Sequence, residues 1–356
     1  MRYLFPLSQA NQQRQYEKMT WVFPCHLAAY ATYLRNEGHD VSWDKDFGLP
    51  EGCMEFDLGN GKVIKDDFQI DIPFEKLPFP DRTFTDAKNK RWQCYGNYRY
   101  HPATHMMVSN LCWYGKCTFC IDTYKLEHGE KRGLRSVDHV MEEIDNLIAN
   151  GYREVFDDSG TFPVGAWLEE FHKKIQKRKK YIHIGINMKP IKMDYKLLAD
   201  SGVGFTLVGI ESANQETVDK IKKGQRSEDI IPIMKAMNDA GLKVHLTSMF
   251  GYSWETHEDA MRTVKLVHYL LKKGYVKTAQ ASVYSPPRTK PDPNSPGHRY
   301  VPMIYDAYRS PEFWYRKVCD LKRWEDFTYL LRGARLVAEE KMRKTLHAFS
   351  TRKSIL

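Results

Sequence analysis

After residue 100 the chain alternates short apolar runs with amphipathic stretches, and this alternation restricts the fold more than any other feature. Strand-like runs fall at residues 106–109, 154–156, 182–186, 205–210, 243–250 and 278–284. Helix-like stretches lie between them at 137–149, 166–177, 195–200, 217–222, 229–240 and 258–272. Ser136 is placed to cap the first of these helices, and Gly151, Gly202, Gly241 and Gly274 fall where helices should stop. Strands that alternate with helices are joined by right-handed crossovers and therefore line up in parallel. The expected architecture is α/β, either a barrel or an open doubly wound sheet.

The flanks read differently. Pro24 precedes a helix over residues 26–35, Gly38 stops it, and a strand follows at 39–43, which makes one strand–helix–strand unit. Residues 44–100 read as loop. Residues 300–356 read as a helical extension rich in aromatics, among them Phe313, Trp314, Tyr315, Trp324, Phe327 and Tyr329. A chain of 356 residues holds one large domain or two ordinary ones. Boundaries are expected at 1–77, 78–299 and 300–356. No run approaches the roughly 18 apolar residues of a membrane span, and the start is polar after Pro6, so a cytoplasmic location is expected. The net charge of +9 suits an acidic electron donor or an anionic substrate. It is also compatible with nucleic acid, but no aromatic–basic interleaving of a sheet face points that way.

The chemistry is concentrated in Cys112-Trp-Tyr-Gly-Lys-Cys117-Thr-Phe-Cys120, three thiols in the loop after the first of the six strands. In parallel α/β folds the loops at the carboxyl ends of strands build the site. Seven cysteines, an odd number, argue against a disulfide framework. Iron–sulfur clusters take Cys thiolates at short spacings, usually four of them; three leave one iron open to chelate a small molecule. The competing reading is a zinc knob with His105 or another Cys as fourth ligand, in a basic nucleic-acid-binding protein. Cys25, Cys53, Cys94 and Cys319 stand alone and read as buried filler.

On these residues the chain resembles the radical S-adenosylmethionine (SAM) superfamily, and within it the subgroup that carries a cobalamin-binding domain. The resemblance covers about residues 78–335. It implies a partial (β/α)6 TIM-like barrel, with a short N-terminal αβ remnant and a helical C-terminal extension. It implies a 4Fe–4S cluster on Cys112, Cys117 and Cys120 whose open iron takes the amino and carboxylate groups of SAM. Here the spacing is C-x4-C-x2-C instead of the commoner C-x3-C-x2-C, and Ser109-Asn-Leu-Cys112 replaces the subgroup's Ser-Arg-Gly-Cys. Phe119 matches the aromatic beside adenine. Asp157-Asp158-Ser159 is similar to the subgroup's Asp-Asp form of the motif that meets the SAM ammonium, a job suited to carboxylates. Asn187 matches loosely a polar position near SAM. Glu211-Ser212 resembles a Gly-hydrophobic-Glu-Ser signature that serves the ribose or the SAM head. Pro78-Phe-Pro-Asp-Arg82, Gly251-Tyr-Ser-Trp-Glu255-Thr256 and Ser285-Pro-Pro-Arg-Thr289 keep the order of the remaining motifs.

The implied reaction is reductive cleavage of SAM to a 5′-deoxyadenosyl radical, with electrons from a flavodoxin- or ferredoxin-type donor, and hydrogen abstraction from an unnamed substrate. Cobalamin is not expected. One strand–helix–strand unit is too small to enclose a corrin, and no Asp-x-His-x-x-Gly stretch supplies a histidine for cobalt. The alternative is a cobalamin-dependent methyltransferase whose cobalamin domain comes from a partner.

Overall fold

A computed structural model describes residues 2–6, 25–44, 61–63, 72–82, 98–332 and 334–335. The chain divides into two compact units. One comprises Met1–Ile70, Pro78–Thr104 and Cys319–Leu356; the other comprises Asp71–Leu77 and His105–Val318.

In the first unit, strand β1 (Arg2–Pro6), helix α1 (Cys25–Asn36) and strand β2 (Asp40–Asp44) form the expected strand–helix–strand unit. A third strand, β3 (Gly61–Val63), lies in the stretch that reads as loop, and the parallel sheet has the order β2-β1-β3. Three residues are too few to show a periodicity, so pairing alone reveals this strand. Arg35 and Asp81 form an ion pair at 2.6 Å, and Arg82 donates to the Thr104 hydroxyl at 3.1 Å.

The second sheet has six strands in chain order: β4 (Ala103–Met106), β5 (Glu154–Asp157), β6 (His183–Met188), β7 (Val203–Glu211), β8 (Lys243–Phe250) and β9 (Thr278–Val283). It is parallel and does not close, a partial barrel. Between the strands run α2 (Ile121–Glu127), α3 (Val137–Ala149), α4 (Ala166–Ile175), α5 (Tyr195–Asp200), α6 (Gln215–Lys220), α7 (Ile230–Asp239) and α8 (His257–Lys273). One face of the sheet carries Ile184, Ile186, Val208, Ile210, Val244 and Leu246, all buried in the core with the helices. The helix α9 (Val301–Asp306) follows β9, and the Tyr308 hydroxyl bonds both the N–H and the carbonyl of Ala279 at 2.5 Å. The helix α10 (Pro311–Cys319) comes next.

The local signals act as expected. The Ser136 hydroxyl accepts from the His139 N–H at 3.3 Å. Gly151, Gly202, Gly241 and Gly274 have φ between 75° and 90°, the left-handed backbone that ends a helix and suits glycine. One boundary differs. The first strand of the sheet ends at Met106, so the expected strand at 106–109 lies mostly in the following loop. Beyond Met106 the backbone donors are taken by side chains: Val108 and Ser109 give their N–H groups to Asp157 and Ser159. The helix α2, directly after Cys120, was not visible in the periodicity because it spans only seven residues.

Candidate functional site

Parallel strands place all their carboxyl ends on one edge, and every motif residue singled out in the sheet lies at or just beyond that edge. The cysteine loop runs from Val108 to Cys120. It is pinned at its start by Asp157, whose Oδ1 accepts from the Val108 N–H at 2.8 Å and from the Ser159 hydroxyl at 2.7 Å. The Ser159 hydroxyl oxygen in turn accepts from Val108 at 3.0 Å and Ser109 at 2.8 Å. Both side chains are fully buried. Asp157 and Ser159 therefore hold the backbone that leads to Cys112. Burial pushes the Asp157 carboxyl up to about 6, and its Oδ2 is buried without a partner. Ser159→Ala leaves the buried Ser109 N–H without its acceptor and Val108 with Asp157 alone, and the expected loss of unfolding free energy is about 2 kcal/mol. Urea denaturation checks it; an unchanged midpoint would mean that water replaces the hydroxyl.

The loop's middle is braced from two directions. The Cys112 N–H donates to Asp122 Oδ2 at 2.8 Å, in the first turn of α2. Gly160 packs against that contact: a Cβ there would lie 2.1 Å from Asp122 Oδ2 and 2.8 Å from Cys112 Cβ. From the segment after α6, the Ile221 carbonyl accepts from the Thr118 N–H at 3.1 Å, and the Lys222 carbonyl accepts from the Tyr114 hydroxyl at 3.0 Å.

Cys112, Cys117 and Cys120 are free, half-buried thiols. Cys117 interacts electrostatically with both Cys112 and Cys120. Burial raises the Cys120 thiol to about 11 and raises Cys117 as well, with Lys223 and Lys189 opposing the rise at Cys117. Three soft donors on one braced loop fit the three-thiolate side of an iron–sulfur cluster. Among the described residues, no three or more His, Cys, Asp or Glu side chains are gathered tightly enough to hold a metal ion. His105, the fourth ligand of the zinc reading, packs edge-on against Phe156 with ring centroids 5.8 Å apart. Cys25 is buried in α1 and Cys319 is exposed; Cys53 and Cys94 lie outside the described residues.

Asp158 is set differently from its neighbours. Its N–H donates to the Met106 carbonyl at 2.8 Å, while its side chain reaches solvent. Its carboxyl lies near those of Asp157 and Asp122. Burial there, then Asp157 and Asp122, push its pKa up to about 7. Among the described residues no cation pairs with it. Asn187 donates to the Ser159 carbonyl at 2.9 Å, tying the ends of β5 and β6.

Glu211 ends β7 on a bulge, at the register shift against β8, with φ of 59°. Its Oε1 accepts from Lys223 Nζ at 2.7 Å. Burial alone would lower Lys223, but Glu211 together with the thiols of Cys117 and Cys120 holds the ammonium above its ordinary value. Gly209 makes room for the pair: a Cβ there would meet Glu211 Oε1 at 2.2 Å. Lys223 also lies 5.4 Å from the centre of the half-buried Phe119 ring. Ser212 is fully buried and turned toward α8, 3.4 Å from the Thr263 hydroxyl, while accepting from the Asn214 N–H at 3.1 Å. Glu211 and Ser212 therefore turn to different partners, Lys223 and Thr263.

Two lysines here were not legible in the sequence as site residues. Lys223 stands in a Lys-Lys-Gly stretch outside the motifs named above. Lys189, just past β6, is 6% exposed, and its Nζ bonds the Lys223 carbonyl and sits 3.7 Å from the centre of the Tyr114 ring. Burial, then Lys223, lowers its pKa to about 8. In the loop after β8, the Gly251 N–H donates to Glu255 Oε2 at 2.7 Å. The buried Tyr252 hydroxyl and Glu255 Oε1 have no partner.

Residues 106–267 match the sequence model of the radical SAM superfamily. A protein of Methanocaldococcus jannaschii named "Putative methylthiotransferase" is 24% identical over 178 residues, covering 47% of this chain and 37% of that protein. The chain therefore spans little more than a third of that relative's length. Among solved structures, the radical S-adenosylmethionine methyltransferase TsrM of Kitasatospora setae matches with a TM-score of 0.44 and 18% identity. The match covers 60% of this chain and 40% of TsrM. Coproporphyrinogen III oxidase (HemN) of Escherichia coli matches with a TM-score of 0.36 and 15% identity, over 64% of this chain and 54% of that one.

Proposed function

From a chain that carries a radical SAM superfamily domain over residues 106–267, we propose an enzyme that cleaves SAM reductively and abstracts hydrogen from a substrate. When bound on Cys112, Cys117 and Cys120, a 4Fe–4S cluster supplies the electron that splits SAM into methionine and a 5′-deoxyadenosyl radical. The observation that carries the reading is the set of three free thiols on one braced loop after the first strand of the parallel sheet, supported by Asp158, a carboxylate with no cation partner among the described residues. Asp158 binds the SAM ammonium, Phe119 flanks the adenine, and Glu211, steadied by Lys223, meets the ribose. Asp157, Ser159 and Asn187 hold the strand ends in place around them. Ser212 acts through the α8 contact and touches no ligand.

The reading includes a flavodoxin- or ferredoxin-type donor, in keeping with the net charge of +9, and a cytoplasmic, reducing setting for the thiols. Among the described residues no helix is long and apolar enough to cross a membrane. It also includes turnover without cobalamin on this chain, supported by the lack of an Asp-x-His-x-x-Gly stretch in the sequence.

The test is anaerobic reconstitution of the full chain with iron and sulfide, then SAM and a strong reductant without cobalamin. A brown protein that releases 5′-deoxyadenosine is expected. A colourless protein holding zinc would overturn the reading, and stoichiometric hydroxocobalamin binding would move it to a methyltransferase. The role of Asp158 has its own signature. A carboxylate with a pKa near 7 is neutral below that value and charged above it, so SAM affinity of the loaded protein rises between pH 6 and 7.5. Asp158→Asn flattens that rise and weakens SAM on the order of tenfold at pH 7.5, because charge-assisted bonds are worth roughly 1.5–3 kcal/mol. A wild-type affinity independent of pH would place the ammonium elsewhere.

A further inference from the structure

Lys189 is a buried cation with an incomplete environment. Lys223, beside it, is neutralised by Glu211 at 2.7 Å, but among the described residues no carboxylate comes within ion-pair reach of Lys189. Its ammonium is held by a neutral carbonyl, that of Lys223, and by the face of the Tyr114 ring at 3.7 Å. Tyr114 lies in the cysteine loop, between Cys112 and Cys117. A buried charge without a counter-ion is costly, so an ammonium kept here is satisfied by negative charge that arrives with a ligand. The groups that face it are Lys223, Tyr114 and the thiols of Cys117 and Cys112. The Glu211–Lys223 pair sums to zero, so of the two lysines Lys189 is the one that no carboxylate balances.

We propose that Lys189 is a positioning residue for charge, whose ammonium offsets the negative charge of the thiolate-bound cluster and favours its reduced form. Reduction adds one electron, taken from the external donor, and makes the cluster more negative by one. A fixed cation nearby stabilises that state over the oxidised one, since net charge and surroundings set cluster potentials. The ring of Tyr114 and the Lys223 carbonyl keep the side chain in place before the cluster is loaded. The inference rests on the cluster reading proposed above.

The experiment uses the full chain, reconstituted without SAM, in wild-type, Lys189→Met, Lys189→Gln and Lys189→Arg forms. Iron content and an EPR-monitored reductive titration are read for each. At the ambient potential where the wild-type cluster is half reduced, the neutral variants should show a reduced-to-oxidised ratio at least fivefold lower. Lys189→Arg should stay within twofold of wild type. A ratio unchanged in fully loaded Lys189→Met or Lys189→Gln overturns the proposal, and weakened SAM binding in the same variants would then give the ammonium to the SAM carboxylate. If both neutral variants fail to take up iron while Lys189→Arg loads fully, a requirement for charge is supported. Failure of all three reduces Lys189 to packing and overturns it. A wild-type chain that takes up no cluster refutes the functional reading itself, an outcome separate from any of these.

Discussion

Single replacement of Cys112, Cys117 or Cys120 by Ala is expected to abolish both iron uptake and SAM cleavage. Three thiolates are the whole protein ligand set in this reading, so a variant with two would lack a ligand the cluster needs. No neighbour stands in: the carboxylate nearest Cys112 along the loop contacts, Asp122, is engaged by the Cys112 N–H at 2.8 Å. Cys25→Ala and Cys319→Ala are the controls, one buried in α1 and the other exposed at the end of α10. Both should retain full iron, although Cys25→Ala removes buried volume and lowers stability slightly. Iron and sulfide analysis after anaerobic reconstitution decides the matter. Normal iron in any of the three loop variants would require a different ligand set.

Glu211→Gln is expected to destabilise the protein by about 3 kcal/mol, the scale for breaking a buried ion pair from one side. On the sequence alone Glu211 and Asp158 look equivalent, two carboxylates facing SAM. The structure separates them: Asp158 has no cation, whereas Glu211 balances Lys223, and the Glu211 and Lys223 side chains are 7% and 12% exposed. Removing the carboxylate charge strands the lysine. The double variant Glu211→Gln with Lys223→Met removes both charges and should recover most of the stability in urea denaturation. SAM affinity should stay weakened in that double variant if Glu211 also meets the ribose. A double variant no more stable than Glu211→Gln would show that the pair is not what holds this strand end.

The cysteine motif could be read because it is local: nine residues carry all three thiols, and the structure leaves them free and half-buried on one loop. The strand and helix alternation was legible for the same reason: apolar periodicity reports which side of an element faces the core, and Ile184, Ile186, Val208 and Ile210 are buried as that pattern requires. The glycine stops belong here too, since φ near 75–90° is a matter of one residue's own sterics. The first strand of the sheet was misplaced because its end depends on distant side chains: Asp157 and Ser159 take the N–H groups of Val108 and Ser109.

The division of labour among the motif residues came from the tertiary structure. Asp157, Asp158 and Ser159 are consecutive, yet two brace the cysteine loop and the third opens to solvent, because a strand end turns alternate side chains to opposite faces. Glu211 and Ser212 part in the same way, one to Lys223 and the other to Thr263. Lys189 and Lys223 are far apart from the cysteines in one dimension. They become neighbours of the thiols only when the parallel register aligns the ends of β6 and β7 with the loop after β4. Sequence by itself determined the kind of fold and the edge where the motif residues lie, because periodicity and turn sterics act between near neighbours. Which charges are paired, and which is left to face the thiols, was decided by strand register, because it joins residues far apart in the chain.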